Sequence, residues 1–269
     1  MKTVQYVLLD PSGNRTALVT EWGGPEEEKE IIRRLLLESE QAAFLEAARI
    51  PGAAARLRLM GGEFCGNAAM AAAGWLVRGR LQPGCEITVP LEVSGAEGIV
   101  SCRVRGLEDG SFEGTAEMPR VLEIREETRF GEQWTAVRTE GILHRIREGA
   151  VPLQKEKAEE MLAVFSAEVP DPAVGLLDRN PETGFMRPLV YVRGSGSMVW
   201  ETACGSGSAA VAAAQARRAG TGRVRIAVKQ PGGVIRAEAA AEAGTVTEVS
   251  ITGIVRIVGE RRISPEPEE

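Results

Sequence analysis

The sequence is poor in aromatic residues and contains a single histidine, His144. Aromatic side chains make up 4% of the 269 residues. Proteins that bind single-stranded nucleic acid usually stack bases on aromatic rings, and the net charge of −6 repels phosphate groups. We therefore expect neither nucleic acid nor an anionic membrane as a partner. No metal site is expected either, because the 4 cysteines include no C-x-x-C pair and one histidine is too few for a typical zinc site.

Long apolar runs are missing as well. No segment approaches the roughly 20 apolar residues of a membrane-spanning helix. The first apolar run, YVLL, is stopped by Asp10 and Pro11, which predicts a strand rather than a signal peptide. Cysteines in such a chain are expected as thiols in a reducing compartment, so we expect a cytoplasmic protein.

One short pattern is present twice. Residues 63–73 read EFCGNAAMAAA, and residues 202–214 read TACGSGSAAVAAA. In each, a cysteine (Cys65 or Cys204) precedes glycine, a small polar residue and an alanine-rich run that predicts a helix. The positive end of a helix dipole stabilises a thiolate, so we expect lowered pKa values for both thiols. The N–H groups of the first helical turn, which lack partners within the helix, can bind a carboxylate.

The surroundings of this pattern are also repeated. Each half is predicted as strand, helix, strand, Cys–Gly turn, small-residue helix and further strands. Such repetition predicts an α+β fold with two pseudo-symmetric domains, residues 1–120 with Cys65 and residues 121–269 with Cys204. The sequence leaves open whether the last strand crosses back to the first domain. The final residues, SPEPEE, are expected to be disordered.

Local patterns give three more predictions. The segments VQYVLLD and TALVTEW predict a β-hairpin joined by the turn PSGN. The segment EEEKEIIRRLLLESEQ predicts one helix with Ile31, Leu35 and Leu36 on the same face. Near the end, QPGG predicts a tight turn between two strands.

Two opposed thiols are suited to the inversion of a carbon centre. One thiolate removes the Cα proton of an amino acid, and the other thiol returns a proton to the opposite face. Donors aimed at the carboxylate stabilise the carbanion, so no pyridoxal phosphate or other cofactor is expected. No lysine is in a context expected for attachment of pyridoxal phosphate: Lys155 and Lys157 lie in a charged helix, and Lys229 flanks a turn. A lone Cys–Gly pair is usually a buried small residue beside a turn, and Cys85 and Cys102 are assigned a structural role.

Five motifs resemble those of a known family. They are DPSGN, EFCGNA, PLVYV, WETACGSG and KQPGG, and together they extend over nearly the whole chain. The sequence resembles the diaminopimelate epimerase family of two-cysteine, PLP-independent racemases, and within it the histidine racemases of staphylopine-type metallophore biosynthesis. The resemblance implies a diaminopimelate epimerase-like fold, in which each domain is a curled β-sheet around a central helix. It also implies a homodimer that acts on a small amino acid.

The resemblance assigns roles to individual residues. Cys65 and Cys204 match the two acid/base thiols. The residues that match substrate-contacting positions are Asn14, Gly66, Asn67, His144, Glu201, Gly205 and Ser206. Without the resemblance, His144 would be interpreted as a structural or surface histidine, and Glu201 as a solvated charge.

One departure from the family bears on the substrate. Diaminopimelate epimerases carry an arginine before the second cysteine that grips the distal carboxylate, and WETACG contains none. Without a bidentate arginine, a distal carboxylate loses its partner. We expect a single-centre L-amino acid, histidine first. The alternatives are diaminopimelate epimerase or another epimerase of this fold, including the proline racemase kind, and a non-catalytic amino-acid-binding protein. Phenazine-type isomerases generally lack the paired thiols.

Overall fold

The computed structural model describes residues 3–264. These residues form sixteen strands, four α-helices and two short 3₁₀ turns, Pro25–Glu27 and Arg78–Arg80. The predicted α+β class is confirmed. The prediction for the SPEPEE tail lies, beyond Ser264, outside the described residues. Within residues 3–264, no helix is both long and apolar enough to cross a membrane.

The chain divides into two compact units. Unit 1 contains the residues up to Ala116 and those from Gly253 onward, and unit 2 contains Glu117–Thr252. Strand β16 (Thr245–Ile263) runs through this division. Its first part pairs with a strand of unit 2, as in Val249 opposite Ala239, and its later part pairs with a strand of unit 1, as in Ile257 opposite Leu9. One strand therefore belongs to both units.

Unit 1 is built on strands paired in chain order. They are β1 (Val4–Pro11), β2 (Thr16–Glu21), β3 (Gln41–Glu46), β4 (Ala55–Leu59), β5 (Glu86–Val93), β6 (Ile99–Gly106) and β7 (Phe112–Glu117). The pairs β2–β3 and β4–β5 are parallel, and the other pairs in this series are antiparallel. Helix α1 (Glu28–Leu35) connects the first parallel pair and buries Ile31 and Leu35 against Phe44.

Helix α2 (Gly66–Val77) is the centre of unit 1. Every residue from Gly66 to Trp75 is buried. The helix contacts β1 and β2 as well as β5 and β6, so the strands curve around it. Its sequence, GNAAMAAAGWLV, is rich in alanine and glycine because strands approach it from several sides, leaving little room for larger side chains.

Unit 2 has a six-stranded sheet, a β-hairpin and two helices. The sheet consists of β8 (Val121–Arg129), β9 (Glu132–Thr139), β10 (Ile142–Glu148), β11 (Ala173–Arg179), β12 (Met186–Val192) and β13 (Ser197–Trp200), adjacent in chain order. Only β10–β11 is parallel among these pairs, and α3 (Lys155–Glu168) forms its crossover. Trp134, Leu162 and Phe165 form part of the core beneath α3.

Helix α4 (Gly205–Ala219) is the second small-residue helix. It packs against the hairpin of β14 (Gly222–Gln230) and β15 (Gly233–Glu242), and also against strands β8, β9 and β10. Like α2, it is buried along most of its length. Each unit thus has a buried, alanine-rich helix preceded by a cysteine.

Most local predictions agree with the structure. The β1–β2 hairpin, the small-residue helices and the turn between β14 and β15 are confirmed. The first charged helix is shorter than predicted, because α1 ends at Leu35 and Leu36 is its C-cap. Leu36 is 40% exposed whereas Ile31 and Leu35 are buried, so the prediction that the three residues share one helix face was wrong. Strands β3 and β8 were not predicted.

Candidate active site

Cys65 occupies the N-cap position of α2. Its backbone is extended, and its carbonyl accepts the first helical hydrogen bond, from Ala69 N–H at 3.0 Å. The side chain is half-buried. Gly66 and Asn67 form the first turn and are both buried. The predicted position of a thiol beside the N–H groups of a helix start is confirmed for Cys65.

Asn14 lies in the same unit, in the turn between β1 and β2, and is buried. Its amide donates to Glu40 Oε2 at 3.0 Å, and its Oδ1 accepts from Gln41 Nε2 at 2.6 Å. Gln41 also donates to Thr16 Oγ1 at 2.8 Å. This network fixes the orientation of the Asn14 amide. Its contact with substrate stays a prediction.

Glu63 is a carboxylate near the first thiol that sequence reasoning did not select. It lies two residues before Cys65, and burial raises the pKa of its carboxyl. Its Oε2 is enclosed without a hydrogen-bond partner among the described residues. A usable signal was present in the sequence, because an acidic residue precedes both cysteines: Glu63 by two positions and Glu201 by three.

Cys204 occupies the N-cap position of α4, as predicted. It is buried, and its Sγ accepts a hydrogen bond from Gly207 N–H at 3.3 Å. The Ser206 hydroxyl lies 3.4 Å from the same sulfur. Gly205 and Ser206 are the first two residues of the helix, so backbone and side-chain donors surround the thiol.

The pKa of Cys204 differs from the sequence expectation. We expected the helix dipole to lower it, and the structure raises it well above the usual value. Burial is the main cause, because a thiolate loses its hydration, and the Glu201 carboxylate adds to it by charge and by a hydrogen bond. The Ser206 hydroxyl and the Gly207 N–H act in the opposite direction but are weaker. The raised pKa keeps Cys204 a protonated thiol at neutral pH.

His144 lies behind Ser206 in strand β10 and is fully buried. Its Nε2 is 2.9 Å from Ser206 Oγ. In the parallel register it is opposite Gly175. A Cβ at Gly175 would lie 2.1 Å from His144 Nδ1, so only glycine leaves room for the ring.

The same burial sets the protonation state of His144. Burial lowers its pKa to about 3, and the imidazole is neutral at physiological pH. Nδ1 has no hydrogen-bond partner among the described residues. A proton on Nε2 leaves only a lone pair unsatisfied there, and this tautomer donates to Ser206 Oγ. The Ser206 hydroxyl is then free to donate to Cys204 Sγ.

Each unit therefore assembles part of the predicted site. Unit 2 places His144, Glu201, Gly205 and Ser206 at or next to the Cys204 thiol. In unit 1, Gly66 and Asn67 follow Cys65, and Asn14 lies in the β1–β2 turn. The substrate contacts of these residues stay predictions.

The remaining observations concern the four cysteines and a neighbour of Cys204. All four cysteines lie within the described residues and are thiols rather than members of disulfides. Cys102 is buried in β6, whereas Cys85 is exposed. Sequence reasoning noticed the QPGG turn but missed Gln230, whose amide oxygen accepts from Cys204 N–H at 2.7 Å.

Comparison with known proteins gives a consistent set of relatives. A histidine racemase of Fusobacterium nucleatum is 27% identical over 222 residues, which cover 78% of this chain and 80% of the relative. A histidine racemase of Staphylococcus aureus is 26% identical over 250 residues, covering 87% and 88%. Among solved structures, a hydroxyproline epimerase from Agrobacterium vitis has a TM-score of 0.70 at 16% identity, with 97% of this chain and 92% of that chain covered. The fold is thus similar to those of racemases and epimerases.

A family model covers almost the entire chain. The model described as histidine racemase CntK N-terminal domain matches residues 3–263. The resemblance to histidine racemases is confirmed, and with it the prediction of an isomerase of the amino-acid racemase class. The chain belongs to the family of the histidine racemase CntK N-terminal domain.

Proposed function

We propose that this chain inverts the Cα of an amino acid with Cys65 and Cys204 as the acid/base pair, and that histidine is the substrate. The observation that carries the proposal is the position of both thiols, each at the N-cap of a buried helix, in a member of this family. The relatives named above as histidine racemases support the choice of substrate. The diaminopimelate epimerase-like fold, a homodimer and a cytoplasmic location belong to the same proposal.

The reaction gives each thiol one role. Cys204 is protonated, since burial and Glu201 raise its pKa, so it suits the proton-donating role. In one direction, the Cys65 thiolate removes the Cα proton, and the Cys204 thiol gives its proton to the opposite face. In the reverse direction the two thiols exchange roles, and the pair titrates as one unit.

The helix starts supply the stabilisation that the carbanion requires. Charge develops on the α-carboxylate as the Cα proton leaves, and backbone N–H donors aimed at that charge lower the barrier. Gly66 and Asn67 begin one helix, and Gly205 and Ser206 begin the other. Glu201 is the proposed partner of the α-ammonium group. No cofactor is needed in this scheme.

The test is proton NMR in D2O. Reduced protein is incubated with L-histidine, a panel of other L-amino acids and LL-diaminopimelate, and loss of the Cα proton signal is followed along with optical rotation. Exchange with inversion of histidine is expected. Cys65→Ala and Cys204→Ala should each abolish inversion, and Cys85→Ala, which alters an exposed thiol, should not.

The outcomes separate the alternatives. Inversion that survives either active-thiol variant contradicts the two-thiol reaction. Exchange on another amino acid and not on histidine changes the substrate while keeping the chemistry. Binding of an amino acid without exchange identifies a binding protein.

A further inference from the structure

The turn between β14 and β15 holds the backbone on both sides of Cys204. Gln230 is buried, its Oε1 accepts from Cys204 N–H at 2.7 Å, and its Nε2 donates to Ser208 Oγ at 3.0 Å. The Ser208 hydroxyl in turn donates to the Cys204 carbonyl at 2.8 Å. Two residues later, in the turn itself, Gly232 N–H donates to Thr202 O at 2.7 Å. The loop before α4 is therefore attached to this hairpin at several points.

The Gln230 side-chain amide satisfies two demands at once. Cys204 N–H needs an acceptor, and Ser208 Oγ, which has already donated its proton to a carbonyl, needs a donor. Glutamine presents both groups from one side chain, whereas a carboxylate offers acceptors alone. The Gln230 side chain thus holds the backbone of the Cys204 loop in place.

The turn between β5 and β6 holds the backbone before the other thiol, Cys65. The Ser94 hydroxyl donates to the Glu63 carbonyl at 2.8 Å and accepts from Leu59 N–H at 2.9 Å. It therefore ties the end of β4 to the segment that leads into Cys65.

Gly95 brings this turn into direct contact with the thiol loop. Its φ is +73°, and a Cβ there would lie 2.3 Å from the Phe64 backbone nitrogen. A side chain at this position would push the backbone immediately before Cys65, in addition to the strain of a left-handed conformation. In each unit, the hairpin that follows the central helix thus supports the loop that precedes it.

We propose that Gln230 and Ser94 are positioning residues for the racemase reaction, each fixing the place of one thiol relative to Cα. The inference rests on the proposed two-thiol function. Neither residue carries a proton in the reaction. A displacement of about 1 Å in a reacting group can reduce a rate by roughly 10²-fold, so loss of either support should slow inversion by about 10- to 100-fold.

The experiment measures α-proton exchange in D2O separately from L- and D-histidine. A misplaced thiol loses its ability to take the proton from one enantiomer. The other thiol still removes the proton from the opposite enantiomer and returns deuterium to the same face. Gln230→Ala should therefore shift the L-to-D ratio of exchange rates in the direction shown by Cys204→Ala. Ser94→Ala should shift it in the opposite direction, the one shown by Cys65→Ala.

Two controls accompany these variants. Gln133→Ala removes a hydrogen-bonded glutamine from an exposed site of unit 2 and should leave both rates unchanged. Gln230→Glu keeps the side-chain length and the acceptor for Cys204 N–H, and it serves if Gln230→Ala does not fold. Its negative charge opposes the Cys204 thiolate, so exchange that depends on Cys204 should require higher pH.

The failures are distinguishable. If Cys65→Ala and Cys204→Ala leave inversion intact, the two-thiol reaction is wrong and the positioning role falls with it. If those variants abolish inversion, while Gln230→Ala and Ser94→Ala change both exchange rates by the same factor or not at all, the positioning role alone is overturned.

Discussion

Removing the Ser206 hydroxyl should raise the pKa of Cys204. It should also destabilise the folded protein, because His144 loses its hydrogen-bond partner. Ser206 Oγ lies 3.4 Å from Cys204 Sγ and 2.9 Å from His144 Nε2. The hydroxyl holds the pKa of Cys204 lower than burial alone would set it. In Ser206→Ala this support is gone, so we expect the pKa of Cys204 to rise further.

The magnitude follows from the contacts. A hydrogen bond to a charged group contributes about 1.5–3 kcal/mol, and one pKa unit corresponds to about 1.36 kcal/mol. The pKa of Cys204 should therefore rise by about one to two units, and at a fixed pH below it the thiolate fraction should fall by roughly 10-fold or more. His144 Nε2 also loses its partner in a fully buried site, which should cost about 1–3 kcal/mol of unfolding free energy.

Two assays follow these effects. Alkylation of Cys204 is measured by peptide mass spectrometry as a function of pH, with the exposed Cys85 as internal reference. Thermal unfolding of Ser206→Ala is compared with that of Ser206→Ala/His144→Leu, which removes both hydrogen-bonding partners. The double variant should recover part of the lost stability without restoring the alkylation profile. An unchanged or lower pH midpoint for Cys204 alkylation in Ser206→Ala would refute the reasoning.

Three further expectations concern the same region. Glu201→Gln removes a charge that raises the pKa of Cys204, so the alkylation midpoint should move to lower pH, opposite to Ser206→Ala; a shift upward contradicts the assigned electrostatics. The pKa of His144 falls from 6.5 to about 3 on folding, so below pH 6.5 the unfolded chain binds a proton that the folded protein does not. The free energy of unfolding should therefore fall with pH in this range, by about 2 kcal/mol at pH 5. Urea unfolding at pH 7 and pH 5 measures the loss, and the NMR signal of the single histidine should remain that of a neutral ring at pH 5 in the folded protein. Gly175→Ala forces a methyl group against the His144 ring and should destabilise the protein by about 1–3 kcal/mol, whereas Gly79→Ala, with open space around it, should have little effect in the same thermal melt.

The sequence predicts much of the fold because periodic patterns and small-residue helices are local signals. Both cysteines lie at helix N-caps, as the repeated CG(N/S) pattern indicated. Strand β3, with sequence QAAFLE, begins where the predicted charged helix ends and received no prediction, since its small residues carry no strong strand preference. Strand β8, VLEIREETR, is rich in charge and has a single buried residue, so it lacks the alternation that identifies a half-buried strand.

The electrostatics of the site could not be predicted from the same signals. A helix N-terminus lowers a thiol pKa in the absence of other effects, but the burial of Cys204 depends on strands that are distant in sequence. The roles of Gln230 and Ser94 depend on hydrogen bonds between the loop that precedes a helix and the hairpin that follows it. Such contacts are set by tertiary packing, which no local pattern encodes.

The path of β16 has a consequence for biosynthesis. Val4 pairs with Ile263, so one long edge of β1 has its partner only after β16 has left the ribosome. During translation this edge is exposed, and unpaired strand edges are prone to association with other chains. Unit 2 is a continuous segment and can fold as soon as it has emerged, whereas unit 1 is complete only after the later part of β16 has followed it. A premature stop codon before Gly253 would therefore leave unit 1 incomplete but unit 2 nearly intact.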